Sequence, residues 1–216
     1  RVLDDSLLTV FNTRVKQFTN FDTVYNAKEV SAYLQHIITR YNSLASHTMF
    51  LHTTPHAHIY FELFFRLIRW ITKCSAPIHF LHLNAKYKSG LWGECCGKQS
   101  ACRRSTWQWL GMTGEGAVST YSSAQFVVSK HAILSKSRYF YVRMLQAING
   151  SHDLAGCPSN SEPGKIWGGH QLTGQYERMW HIIYGYPNIQ PTRLNDGMIP
   201  RYLRVDCGMR QCEGAV

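Results

Sequence analysis

The chain has 216 residues, 44% of them apolar, which is enough for one domain with a real core and excludes a disordered protein. No run of about 18 apolar residues occurs, so no segment reads as a membrane span. The formal charge of +10 favours an anionic ligand, yet the basic residues are dispersed (Lys98, Arg103 and Arg104 form one small patch), and no nucleic-acid-binding motif appears.

Residues 7–12 read as a buried strand, followed by a polar loop to about residue 26. Apolar residues at Val30, Tyr33, Leu34, Ile37, Ile38 and Tyr41 keep the spacing of one helix face and predict a helix over 29–41. Asn26 with Glu29 three residues on comes close to a capping box, so cap and first-turn carboxylate are their plain structural roles. Residues 48–52 predict a strand and Pro55 a turn. A helix then starts near Ile59 with Leu63, Phe64, Leu67, Ile68 and Ile71 on one face. Glu62, Arg66 and Arg69 make that helix amphipathic rather than membrane-spanning. Residues 78–83 predict a further strand.

Residues 84–120 read as one long irregular section, rich in glycine and carrying Trp92, Trp107 and Trp109. Such a stretch is functional or cross-linked, and its tryptophans suit a protein interface. Residues 125–128 predict a strand. Ser129 caps a helix carrying Ile133, Leu134, Phe140, Tyr141, Met144, Leu145 and Ile148. A Gly/Ser/Pro loop over 149–172 leads to a short helix over 176–184, closed by Gly185. Alternating strands and helices predict an α/β fold: a single domain over 1–216, a core over about 7–186, a central mixed sheet flanked by helices, long Cys/Gly-rich loops and a loop-rich tail over 187–216.

Seven cysteines occur, five of them (Cys95, Cys96, Cys102, Cys157, Cys207) in loop-like surroundings. That favours disulfides and a secretory or extracellular setting, with zinc at Cys95, Cys96 and Cys102 as the lesser alternative. The sequon Asn149-Gly150-Ser151 agrees with that setting. The chain starts at Arg1 without a signal peptide and reads as processed or incomplete.

The chemistry-bearing residues concentrate in two places. His47, His52, His56 and His58 fall where a strand runs into a loop, the usual position of a site in an open α/β sheet. Glu177 and His181 share a helix face, as a functional pair or as a plain surface pair. His52, His56, His58 and His181 are candidate metal ligands. Gln125 and Ser129 flank a strand as capping, core-polar or ligand-contacting residues.

Four blocks in order carry a resemblance: Asn26-Ala-Lys-Glu29 with the helix after it, Thr48-Met-Phe-Leu-His52 with Pro55 and His58, Ala124-Gln-Phe-Val-Val-Ser129 with Tyr139-Phe-Tyr141, and Glu177-Arg-Met-Trp-His181 through Gly185. Together they resemble an uncharacterised family, a domain of unknown function, over about residues 7–186. That family's pattern is in turn similar to nucleotide-sugar-dependent glycosyltransferases of the GT-A type. The resemblance implies a nucleotide-sugar donor, a divalent Mn or Mg ion and a glycan acceptor. It makes Glu177 the acceptor base, sets His52, His58 and His181 around donor or metal, and makes Asn26, Glu29, Gln125 and Ser129 cofactor-contacting. The chain departs from the pattern in lacking an Asp-x-Asp motif and the strand expected before residue 7.

Three functions follow as expectations: a secretory glycosyltransferase-like protein, a non-catalytic structural or interaction subunit of the same fold contacting its partner through 84–120, and a histidine-based metal enzyme. The first two are discriminated by nucleotide binding, and the third by elemental analysis.

Overall fold

The stretch Phe126-Val-Val-Ser129 offers three apolar residues in a row, the signature of a strand covered on both faces. It becomes the middle of the main sheet. A computed structural model describes residues 28–52, 55, 58–59, 64–65, 78–91, 104–112, 117–121, 123–148 and 167–192. In chain order the elements are α1 (Lys28–Arg40), β1 (His47–Phe50), β2 (Phe80–His82), β3 (Tyr87–Leu91), β4 (Val118–Tyr121), β5 (Phe126–Ser129), α2 (Lys130–Leu134), α3 (Arg138–Ile148) and α4 (Trp167–Ile183). A 3-10 turn over Tyr41–Ser43 follows α1.

The main sheet has the order β1-β5-β2. β5 runs antiparallel to both neighbours, with Phe126 opposite Phe50 and His82, and Val128 opposite Thr48 and Phe80. β3 and β4 form a second, two-stranded antiparallel sheet. The parallel component among the described residues is one bridge, Ser119 to Ile189. The protein is therefore an α/β single domain, as the residue pattern predicts.

Side chains alternate along a strand, so Phe126 and Val128 share a face with Phe50 and Phe80. That face joins the core under α1, α3 and α4. Phe126 is its hub: its ring lies 5.1 Å from Phe50, 5.1 Å from Phe80, 5.2 Å from Trp180 and 6.0 Å from both Tyr33 and Tyr184. The opposite face, with Val127 and Leu81, is buried as well. α1 contributes Val30, Tyr33, Leu34 and Ile37 at helical spacing. Each fully buried side chain of this kind stabilises the fold by roughly 1.5–3 kcal/mol.

Three differences from the sequence reading have local causes. The helix expected to run on from Ser129 is two helices. The Ser135 hydroxyl donates to the Ala132 carbonyl at 2.7 Å, and Ser137 Oγ accepts from Phe140 N–H, so the serines end one helix and start the next. α4 begins at Trp167, well before the expected start at 176, and takes in Gly168, Gly169 and Gly174, whose low helix propensity hides the first half of the helix from a local reading. The section 84–120 is not structureless. It holds β3, β4 and a helix over 104–109, ended by Gly111 at φ 67°, where Met112 N–H reaches the Trp107 carbonyl. Its strands pair with each other across a long separation in sequence, which local reading does not detect.

The expected strand at 7–12, most of the helix after Ile59, the sequon, all seven cysteines and the tail beyond 192 lie outside the described residues. No described helix is long and apolar enough to cross a membrane.

Candidate functional site at the strand ends

Because β5 is antiparallel to β1 and β2, its first residue meets their last ones. Three polar residues therefore gather at one end of the sheet: His52 after β1, Asn84 after β2 and Gln125 before β5. Gln125 and Asn84 are buried, and burial requires that their amides be paired. Gln125 Oε1 accepts from His52 N–H at 3.0 Å. Its amide nitrogen lies 3.4 Å from both the Pro55 carbonyl and Asn84 Oδ1. The Asn84 amide nitrogen donates to the Ser123 carbonyl, and lies 3.2 Å from the Gln125 carbonyl. Ser123 N–H in turn donates to Glu177 Oε1 at 2.8 Å. One continuous run of hydrogen bonds thus links His52 to Glu177.

α1 brings two more groups to this end. Glu29 lies in its first turn, with Oε1 3.4 Å from His52 Nε2; the two side chains remain 23% and 17% exposed. The contact is electrostatic rather than an aligned hydrogen bond, since His52 Nε2 makes none. The His58 ring stands nearly perpendicular to His52, centroids 5.3 Å apart. Tyr33, one helical turn beyond Glu29, is 6% exposed and packs its ring 4.6 Å from Phe50. Its hydroxyl has no hydrogen-bond partner. Burial, then the charges of Glu29 and Glu177, hold this phenol protonated far above its ordinary range.

His181 belongs to a different cluster. Its Nε2 lies 3.4 Å from the Asn188 carbonyl and its Nδ1 3.3 Å from Thr120 Oγ1, while His82 Nε2 lies 2.9 Å from the same hydroxyl. The carbonyl accepts only, so His181 carries its proton on Nε2 and accepts at Nδ1. Thr120 then donates to His181 and accepts from His82. Burial lowers the pKa of His181 to about 4, against a smaller upward pull from the Asn188 carbonyl.

The structure thus joins His52, His58, Glu29, Gln125 and Glu177 and separates two expected members from them. His181 turns its nitrogens to Thr120 and Asn188, away from a shared metal set. Ser129 closes β5 at the opposite end, where its Oγ accepts from Ala132 N–H at 3.0 Å and caps α2. Asn26 and His56 lie outside the described residues. Among the described residues, no group of three or more His, Cys, Asp or Glu side chains is disposed to hold a metal ion. Trp107 is 3% exposed, and Trp109 packs under Arg143 at 4.4 Å; Trp92 lies outside the described residues.

Tyr33, Asn84, Ser123, His82 and Thr120 were missed. Tyr33 had a signal, its i, i+4 relation to Glu29. His82 had one too, as a polar residue in register with Phe80 on an apolar face.

A family model described as a protein of unknown function, DUF3431, matches residues 9–198. The chain belongs to this family. No curated protein and no solved structure matches it. The DUF3431 match covers every residue of the strand-end site, and its description assigns no activity.

Proposed function

We propose that this DUF3431 member is a glycosyltransferase-like protein, transferring a sugar from a nucleotide-sugar donor to a hydroxyl of a glycan acceptor at the strand-end site. The observation that carries the reading is the Glu29–His52 contact at 3.4 Å, with both side chains reachable from solvent. A carboxylate facing Nε2 favours the tautomer protonated there and leaves the lone pair on Nδ1. His52 is then the general base. The acceptor oxygen bonds to the anomeric carbon, its proton passes to His52 Nδ1, and the bond to the diphosphate breaks with its electron pair leaving on the diphosphate. This moves the base from Glu177, whose Oε1 is committed to Ser123 N–H, to His52.

A divalent ion accompanying the donor fits this corner in part. Magnesium takes one or two carboxylates and completes its shell with phosphate and water. Glu29 and Glu177 are the carboxylates that would hold it, and the ion would offset the charge of the diphosphate. The secretory setting rests on the cysteines and the sequon of the sequence.

The test is binding of nucleoside diphosphates by thermal shift, with and without Mn or Mg, followed by donor turnover in wild type, His52→Ala and Glu29→Gln. Binding with turnover that falls about a hundredfold or more in His52→Ala is the expected result. Silence with every nucleotide, metal present or absent, overturns the reading. A second reading, a glycan-binding member without catalysis, rests on the sequence's departure from the glycosyltransferase pattern, which calls for an Asp-x-Asp motif. Sugar binding without any donor turnover would establish it.

A further inference from the structure

We infer that the corner between α2 and α3 docks onto an anionic lipid surface, with Leu134 and Tyr139 entering the headgroup region among the cations Arg40, Lys130, Lys136 and Arg138. The inference goes beyond the transferase reading and does not depend on it.

Leu134 is the last residue of α2 and Tyr139 the second of α3; they are 41% and 66% exposed. Ser135, Ser137 and Arg138 between them are exposed as well, so the corner projects rather than forming a groove. One exposed leucine or tyrosine is ordinary surface. The second observation is charge. Lys130 lies one helical turn before Leu134 on the same face of α2. Lys136 holds its ammonium 5.7 Å from the Phe140 ring centroid. Arg138 donates from Nε to the Ile38 carbonyl at 2.9 Å, and the Tyr41 hydroxyl donates to the Lys136 carbonyl at 2.6 Å. Those two bonds bring the end of α1, with the exposed Arg40, against the corner. Glu29 and Glu177 are the acidic residues among the described ones, and both belong to the His52 end of the sheet. The corner follows Ser129 at the opposite end, so its cations meet no described carboxylate.

The chemistry of the corner selects the partner. A polyanionic glycan or a nucleic acid matches the cations but gains nothing from Leu134. A neutral bilayer takes the apolar pair and leaves the cations unmatched. An acidic peptide finds no groove on a projecting corner to hold it. A bilayer with anionic headgroups meets every part. Tyrosine sits at headgroup level, leucine reaches the acyl boundary, and the negative surface potential attracts each cation close to it. Docking at this end leaves the His52 end uncovered.

The test is co-sedimentation of the full chain with phosphatidylcholine vesicles, with and without about one-third phosphatidylserine. Wild type is compared with Arg40→Gln/Lys130→Gln and Leu134→Ser/Tyr139→Ser, with melting temperature as the check on folding and heparin and duplex DNA as control polyanions. Wild type is expected to bind the phosphatidylserine vesicles, less so as salt rises, and each double variant to bind them about tenfold or more weakly. Failure of wild type to bind, equal binding to neutral vesicles, or wild-type affinity in either double variant overturns the inference. Binding of heparin or DNA with no vesicle binding overturns it too and marks the corner as a polyanion site.

Discussion

The Glu177 carboxylate holds the backbone of Ser123 across 54 residues of sequence, accepting its N–H at 2.8 Å. Ser123 is the described non-glycine residue with positive φ, at 80°. The left-handed region is unfavourable for a residue with a Cβ, so the bond from α4 pins a strained link between β4 and β5. Glu177→Ala is expected to lower stability by about 1–2 kcal/mol in urea denaturation, a value for a half-buried charged acceptor. Glu177→Gln keeps an acceptor oxygen and is expected to lose less than half of that. Equal losses in the two variants would show that the bond does not anchor the turn.

Phe126 touches aromatic rings from β1, β2, α1 and α4 and the residue following α4. Phe126→Ala is expected to cost about 3–5 kcal/mol, because a cavity at a hub cannot collapse from any one side. Phe126→Leu keeps most of the volume and is expected to cost under half as much. Chemical denaturation with an unchanged slope is the check.

Acid is expected to destabilise the protein through His181. Its folded pKa is about 4 against 6.5 for a free imidazole. The unfolded chain therefore binds the proton first, and stability rises with pH across that interval. The stabilisation is full above pH 6.5, declines as the pH falls, and is gone below about 4, a loss on the order of 3 kcal/mol. Burial lowers His36 and His47 too, which adds to the same slope. Melting temperatures across that range should fall on acidification, and His181→Asn should flatten the fall. A pH-independent melt in both proteins would contradict this account.

Ser129 separates a capping role from a ligand-contacting one. Ser129→Ala is expected to cost about 1 kcal/mol of stability through the lost cap and to leave nucleotide and sugar affinity unchanged. A change in affinity without a change in stability would return Ser129 to the site.

Much of this was legible in the chain. The apolar spacing of α1 and the runs forming β1, β2 and β5 depend on local pattern, and so did the Ser129 cap and the stop at Gly185, where φ is 87° and Tyr186 N–H reaches the His181 carbonyl. The residue pattern expected Glu177 and His181 to meet the histidines after β1; a run of hydrogen bonds links Glu177 to His52, while His181 turns to Thr120 and Asn188. What escaped were relationships made by long-range register. Thr120 joins His82 and His181 only because β2, β4 and α4 pass one another, and Tyr33 looked like one more apolar position of a helix face. A tyrosine in a hydrophobic stripe gives no hint of where its hydroxyl ends.

The short segment after α4 returns to β4, where Ser119 N–H donates to the Asn188 carbonyl at 3.0 Å and Gln190 N–H to the Ser119 carbonyl at 2.8 Å, and Tyr87 donates its hydroxyl to the Gln190 carbonyl at 2.7 Å. It shields one border of the two-stranded sheet. A shortened version stopping at Gly185 would bare that border and invite intermolecular strand pairing, so shortened versions used for expression should extend beyond Thr192 if they are to stay monodisperse.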